Sequence, residues 1–322
     1  MGPLLKLKPL LTAVRRRVRK AHAVRYAQAC WLRFRDGSAG RELFNEPDVY
    51  FSALHRKSEE PALLSTRDGL KIQIRRNIFD ARIVREIFLD RPYLKHVRLR
   101  AAPTIIDVGG YIGDFSLYAV KHLGARQVIV FEPTRENFAV LEQNVRLNGY
   151  EQRITAVPCA VSNTKTVALN VQRLAAGEMH VSAYWYEDAE RRVLPATTLA
   201  DILETYSLEK VDLLKVDCEG GEYDIFEAVP RAVLDKIDNI VFEYHAIRGY
   251  QPRLERVLQL LGDAGYLLKM DGDIVSATRP QHAGVVRAPA VENAERGDRH
   301  VPPPARGTAA RSSRDNKHPS GV

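Results

Sequence analysis

Between Thr104 and Tyr244 five short apolar runs alternate with stretches of helical periodicity, an alternation that confines the chain to a parallel sheet with helices on both faces. The predicted strands are Thr104 to Val108, Gln127 to Phe131, Ile154 to Ala160, Val211 to Val216 and Asn239 to Tyr244. Helices fit between them at Phe115 to His122, Arg135 to Asn148, Leu199 to Tyr206 and Glu222 to Leu234. After a further helix, from about Arg253 to Ala264, the strands Tyr266 to Met270 and Ile274 to Thr278 flank Asp271-Gly272-Asp273. Asp-Gly there favours a tight hairpin, so the doubly wound α/β sheet is expected to end in two antiparallel strands. A dinucleotide fold would continue parallel instead.

The 322 residues, 45% hydrophobic and 27% charged, suffice for one substantial core, assigned to residues 101–280. Residues 42–100 precede it as a cap: Arg67-Asp68-Gly69 reads as a turn between short strands, and Ala81 to Leu89 as a helix with Ile83, Val84, Ile87 and Phe88 apolar. From Gly284 the chain turns to Pro, Arg, Ala, Ser and Gly, with too little apolar surface to offset the entropy of ordering, which predicts a disordered tail over 284–322. No run approaches the roughly 20 apolar residues of a membrane span, so a soluble or peripheral, cytoplasmic protein is expected. Cys30, Cys159 and Cys218 lack the spacing of a zinc site or a disulfide framework and point to a reducing compartment.

The formal net charge of +8 is localised. Residues 1 to 35 hold ten Lys or Arg and no acid, leaving 38 basic against 40 acidic residues in the remainder, a net −2. The basicity is therefore an N-terminal arm, assigned to residues 1–41. As a helix with Leu, Val and Ala on one side it suits peripheral contact with an anionic membrane surface, or an acidic partner. The alternatives are a solvated leader and an Arg-rich, acid-free transit peptide. Lys6 and Lys8 break the apolar run a secretory signal needs, and Lys6 stands where a myristoylation site carries Ser or Thr.

Chemistry concentrates at the ends of the predicted strands. Asp107-Val108-Gly109-Gly110-Tyr111-Ile112-Gly113 follows the first strand and opens a helix; glycines permit a tight turn and close approach to a ligand, and free amides at a helix start suit a polar group. A dinucleotide fingerprint starting at Gly109 would require Gly at positions 111 and 114, where Tyr111 and Asp114 stand. Glu132, in Phe131-Glu132-Pro133, ends the second strand, where an acid accepts hydrogen bonds from both hydroxyls of a ribose. Ala160, Val161 and Ser162 end the third strand and are candidates to meet an adenine edge. In Asp212-Leu213-Leu214-Lys215-Val216-Asp217-Cys218-Glu219-Gly220-Gly221-Glu222, strand alternation puts Lys215 and Asp217 on one side. Asp217 and Glu219 then fall at the carboxyl end, where open α/β sheets place ligands. Glu243 and His245 should share one face near the same cleft. His245, Asp217 and Glu219 are the candidate bases, and no ligand spacing compels a metal.

These stretches, with Leu199-Ala200-Asp201-Ile202-Leu203 and the upstream Arg67-Asp68-Gly69 and Glu86-Ile87-Phe88-Leu89-Asp90-Arg91, resemble the FkbM methyltransferase family over roughly Ser65 to His245. Tyr111 departs from the Asn usual in that family and Gly221 from a usual Ala. The resemblance implies a Rossmann-like methyltransferase sheet and transfer of methyl from S-adenosyl-L-methionine to a hydroxyl of a sugar, glycan or other small molecule. It also implies that Asp107, Gly109, Gly110, Gly113, Glu132, Ala160, Val161 and Ser162 form the cofactor site. Two rival readings keep the fold: a nucleic-acid methyltransferase guided by the arm, ranked below because the body lacks the charge and an Asn-Pro-Pro-aromatic signature, and a non-catalytic binding protein. The aromatics Tyr184, Trp185 and Tyr186, in a loop expected from Gln172 to Arg192, are candidates to shape the acceptor pocket with the cap.

Overall fold

The computed structural model describes residues 40–55, 58–76, 78–173, 179–182, 190–245, 250–280 and 286–287. The arm before residue 40, the aromatics Tyr184 to Tyr186, and the tail apart from Val286 and Arg287 lie outside the described residues.

The cap begins with α1 (Pro47–His55) and a hairpin of β1 (Ser58–Ser65) and β2 (Lys71–Arg76), antiparallel with Ser65 opposite Lys71 and Ala62 opposite Ile74. Its turn is Arg67-Asp68-Gly69, with Gly69 at φ +91°, a left-handed conformation that costs glycine nothing. Alternation buries Ala62 and Leu64 of β1 and Ile72 and Ile74 of β2 on one face. Helix α2 (Ile78–Arg85) runs on into a π turn, Glu86–Asp90, and together they bury Ala81, Val84, Ile87 and Phe88. A 3₁₀ turn, Pro92–Leu94, and the short β3 (Arg98–Leu99) lead into the body. Cap and body share one core, in which Phe44, Tyr50, Leu64 and Ile72 join Ile105, Leu117 and Val128 of the sheet and its first helix.

The body continues with β4 (Thr104–Val108), α3 (Asp114–His122), β5 (Gln127–Phe131), α4 (Arg135–Leu147), β6 (Ile154–Val157), β7 (Ala160–Val161), β8 (Thr166–Arg173), β9 (Met179–Ser182) and β10 (Glu190–Thr197). Then follow α5 (Leu199–Thr205), β11 (Leu213–Val216), α6 (Glu222–Glu227), α7 (Arg231–Leu234), β12 (Asn239–Glu243), α8 (Tyr250–Asp263), β13 (Leu267–Asp271), β14 (Ile274–Thr278) and β15 (Val286–Arg287). Among the described residues a seven-stranded sheet runs in the order β13-β14-β12-β11-β4-β5-β6. Neighbours from β12 to β6 are parallel, whereas β14 is antiparallel to both β12 and β13, which is the expected terminal hairpin. Period-two alternation sends Ile105, Val130 and Leu213 toward the cap, and Ile106, Ile129 and Leu214 into a second core under α5, α6 and α8.

Four expectations change. The predicted third strand stops at Val157, because Pro158 has no N–H for the ladder and Cys159 N turns back on Val157 O at 2.9 Å. Ala160 and Val161 instead pair in parallel with Ala196 and Thr197 in a second sheet of order β7-β10-β8-β9. The described parts of the expected loop from Gln172 to Arg192 are strands of that sheet. The predicted helix Glu222 to Leu234 breaks into α6 and α7 at Val229-Pro230, since a residue before proline is disfavoured in the helical region. Val286 and Arg287, inside the expected tail, pair antiparallel with Leu99 and Arg98.

Two asparagines one turn apart, Asn144 on α4 and Asn148 at its C-cap, take the place of a neighbouring strand at the free edge of β2. Gln73 N donates to Asn144 Oδ1 at 2.6 Å, and Asn144 Nδ2 donates to Gln73 O at 3.0 Å and to Ile112 O at 2.8 Å. Asn148 exchanges the same pair of bonds with Lys71 at 2.9 and 2.7 Å. Asn144 is fully buried, so Asn144→Ala leaves buried backbone groups unpaired and is expected to cost about 2–3 kcal/mol in urea unfolding. Asn148→Ala, nearer solvent, is expected to cost under about 1 kcal/mol; equal losses would refute the strand-mimic account.

Candidate active site

The carboxyl ends of β4, β5, β11 and β12 open onto a cavity of about 510 Å³, within the range of small-molecule sites. Its wall includes Gly109, Glu132, Ala160, Val161, Ser162, Asp217 and Glu219, residues expected from sequence, and adds Tyr93, Asp114, Asn137, Leu169 and Glu243. Phe79, Ile83 and Ile87 of the cap close one side. Asp107, Gly110, Gly113 and His245 do not line it.

Their places explain why. Asp107 lies fully buried beneath the turn, accepting from Ser116 Oγ at 2.7 Å and pairing with Lys215 Nζ at 3.1 Å, so it anchors α3 and β11 to β4. A Cβ on Gly110 would meet Val130 Cγ2 at 2.1 Å, and one on Gly113 would meet Leu141 Cγ at 3.3 Å. Gly110 therefore lets the turn pack against β5, and Gly113, at φ +85°, lets it pack against α4. Gly109, at φ +78°, would drive a Cβ to 1.7 Å from Asp217 O. The turn approaches the exit of β11 more closely than any side chain permits.

Glu132 is turned inward, 5% exposed. Its Oε1 accepts from Thr134 N at 3.0 Å, from Thr134 Oγ1, and from Asn137 Nδ2 at 3.3 Å; its Oε2 accepts from Tyr111 N at 3.0 Å. Burial raises its pKa and the Thr134, Tyr111 and Asn137 donors pull it back. Each carboxylate oxygen has about two acceptor positions, so among the described residues Oε2 retains one for a ligand hydroxyl while Oε1 is filled. Beyond it the apolar Val108, Phe131, Val161 and Leu169 suit a flat aromatic base. The donor set fits a nucleoside, with the diol held mainly through Oε2. Ser162 N is already spent on Thr197 O at 2.9 Å, so its side-chain hydroxyl, 3.5 Å from Asn163 Oδ1, is the donor it offers a ligand.

The other end is acidic. Tyr93 OH, from the cap, lies 2.8 Å from Asp217 Oδ2 and 3.1 Å from Glu243 Oε2. A phenol carries one proton and serves one carboxylate at a time. Burial, and then the charge of Asp217, push Glu243 up to about 7, so near neutral pH Glu243 is about half protonated and supplies the second proton of this chain. Burial likewise raises Asp114 to about 7. Lys215 Nζ donates to Gly109 O at 2.8 Å and stands 3.9 Å from Asp217. Burial opposes its charge, but Asp107, Asp217 and Asp114 outweigh that and raise its pKa.

His245, expected as a candidate base, sits behind the carboxylates. Its Nδ1 is 3.3 Å from Glu222 Oε1, and its Nε2 is 3.5 Å from Glu219 and 4.0 Å from both Asp217 and Glu243. Burial pulls its pKa down, yet the hydrogen bond and charge of Glu222, with Glu219 and Asp217, bring it to about 9. A pKa near 9 favours the imidazolium at neutral pH, a counter-charge to the carboxylates around it. Glu222 also accepts from Gly220 N at 2.9 Å and His245 N at 2.7 Å, tying the exits of β11 and β12 together. Among the described residues no three such ligand-type side chains are disposed to hold a metal ion.

The family model described as the methyltransferase FkbM domain matches residues 107–268 of this chain. The chain is 28% identical over 218 residues to methyltransferase sdnD of Sordaria araneosa, covering 59% of this chain and 83% of that protein. It is also 28% identical over 236 residues to the 31-O-demethyl-FK506 methyltransferase FkbM of Streptomyces tacrolimicus, covering 64% and 88%. Among solved structures it is similar to methyltransferase FkbM from Methylobacillus flagellatus, at 16% identity and a TM-score of 0.39, over 72% of this chain and 58% of that one. A SAM-dependent methyltransferase from Agrobacterium tumefaciens is similar at 15% identity and a TM-score of 0.39, over 70% and 72%.

Proposed function

The chain belongs to the FkbM methyltransferase family and is an S-adenosylmethionine-dependent methyltransferase, and we propose that it methylates a hydroxyl oxygen of a sugar, glycan or other small molecule. The observation that carries this reading is the continuity of one cavity from the buried Glu132 to the carboxylates of Asp217, Glu219 and Glu243. When bound, S-adenosylmethionine supplies an electrophilic methyl group on a sulfonium. Glu132 Oε2 would hold the ribose, and Val108, Phe131, Ala160 and Val161 would enclose the base. Ionised carboxylates only accept hydrogen bonds, so the acidic end favours an acceptor that presents donors, as a hydroxylated molecule does. Asp217 and Glu243 orient that hydroxyl and Asp217 takes its proton, with Tyr93 passing hydrogen-bonding between the two carboxylates. His245 and Lys215 hold the carboxylates together against their mutual repulsion. The 31-O-demethyl-FK506 methyltransferase, by its name, acts on an oxygen, which supports the same atom here.

Calorimetry with S-adenosylhomocysteine tests the cofactor half. The wild-type chain is expected to bind it, and Glu132→Gln to bind about 10- to 100-fold more weakly, the loss of a charge-assisted bond. Equal binding by the two proteins would remove Glu132 from the site. Mass spectrometry of metabolites and glycans with and without the gene tests the acceptor half; a methyl gained on nitrogen or carbon, and none on oxygen, contradicts it.

A further inference from the structure

Tyr111 sits in a conformation that bulky side chains avoid, at φ +47°, in the middle of the glycine turn. Its phenol donates to Asp80 Oδ1 in the cap at 2.6 Å. Asp80 is fully buried and is gripped by Arg75, through the backbone N at 2.8 Å and through Nε and Nη2 at 3.0 Å each. The Arg75 guanidinium also lies 5.1 Å over the Tyr111 ring, and its Nη1 donates to Asn137 Oδ1 at 2.8 Å. Asn137 Nδ2 donates to Glu132 Oε1 at 3.3 Å, and Glu132 Oε2 accepts from Tyr111 N at 3.0 Å. The contacts form a closed ring that leaves the turn through the tyrosine side chain, crosses β2 and α2, and returns through Glu132 to the backbone of the same tyrosine.

We propose that Tyr111 is a positioning residue that couples the cap to Glu132, so that filling the cofactor site steadies β2 and docking of the cap tightens the hold on the cofactor. This rests on the reading that Glu132 holds the ribose. A ligand on Oε2 draws on the oxygen that binds Tyr111 N and thereby acts on the residue whose other end holds Asp80. Coupling of two sites through one element is reciprocal, so each must report on the other. Among the described residues none of Ile72 to Arg75 lines the cavity, so a response there is not direct contact.

The test is hydrogen exchange of the full chain with and without S-adenosylhomocysteine, together with calorimetry. In the wild type the ligand is expected to slow exchange at Ile72 to Arg75. In Tyr111→Phe, which leaves only the arm through Asn137 and Arg75, that slowing is expected to shrink and affinity to fall about 5- to 30-fold, in the ordinary range for coupled sites. Asn148→Ala loosens the same strand outside the ring, and is expected to keep both the slowing and the affinity; a merely structural role for Tyr111 predicts that the two variants behave alike. Wild-type β2 that ignores the ligand overturns the coupling without any variant. So does a Tyr111→Phe chain that binds and protects like wild type, even where Glu132→Gln has lost affinity. If the wild type does not bind the ligand, or Glu132→Gln binds equally well, the cofactor reading falls and the coupling with it.

Discussion

Asp217→Asn is expected to lower kcat about 10²- to 10⁴-fold, the usual worth of a positioned proton acceptor, with little change in affinity for S-adenosylhomocysteine. The substitution keeps the shape and leaves Tyr93 a hydrogen-bond acceptor, but removes the charge that faces Lys215 at 3.9 Å and His245 at 4.0 Å. A large loss of cofactor affinity instead would make Asp217 a cofactor ligand. The pH profile carries the same argument. Below pH 7 Glu243 is protonated and donates to the Tyr93 oxygen, and Tyr93 donates to Asp217, so that an Asp217 oxygen is occupied by the phenol. Above it, ionised Glu243 competes for the phenol proton and frees Asp217. Wild-type kcat is therefore expected to rise with pH around a midpoint near 7, and Glu243→Gln to flatten that rise. The stability sign runs opposite. A carboxyl whose folded pKa is raised from 4.5 to about 7 contributes fully at acid pH, and that contribution is lost as pH climbs through 7. Glu243→Gln should thus be more stable than wild type at pH 8 and not at pH 4, by on the order of 1 kcal/mol once partial exposure is allowed for.

What the sequence discloses of this site depends on how local each cause is. Strands Thr104–Val108 and Gln127–Phe131 are legible to the residue, because burial on both faces leaves one charged position in ten, Asp107. Glu132 is legible because a strand end and a helix start bracket it. Pro158 and Pro230 stand in plain view, but periodicity over longer windows overrides them, and the strand and helix containing them are read as unbroken. The second sheet is hidden for another reason: Thr166 to Arg173 and Glu190 to Thr197 pair mainly with each other and line the cavity through Val167 and Leu169, with no motif to announce it. Tyr93 lies 124 residues from Asp217 and 150 from Glu243, so only the docked cap reveals it. His245 is legible as a neighbour of the acids, whereas its protonation follows from Glu222, which is fully buried. The departure at Tyr111 is visible in the chain, but the buried partner of its phenol, Asp80, is not.

Gly109→Ala is expected to cost more than about 4 kcal/mol in urea unfolding and to abolish S-adenosylhomocysteine binding. The added carbon falls 1.7 Å from Asp217 O and 2.8 Å from Asp217 C, and φ is +78°. Both obstacles are backbone, so no rotamer relieves them. Moving the β11 exit away would also strain Asp217 N to Val108 O, at 3.0 Å, and carry the carboxylate off the Tyr93 hydroxyl. Gly110→Ala is the contrasting case. Its carbon would strike Val130 Cγ2 at 2.1 Å and Leu141 Cδ1 at 3.0 Å, side-chain atoms that a second substitution can remove. Gly110→Ala is expected to cost about 1–3 kcal/mol as overpacking, and Val130→Ala to restore part of that loss in the double variant. No side-chain substitution is expected to rescue Gly109→Ala. A Gly109→Ala chain that folds and binds like wild type would mean that the two loops stand further apart in solution, and with them the turn and the carboxylates that make this crevice a single site.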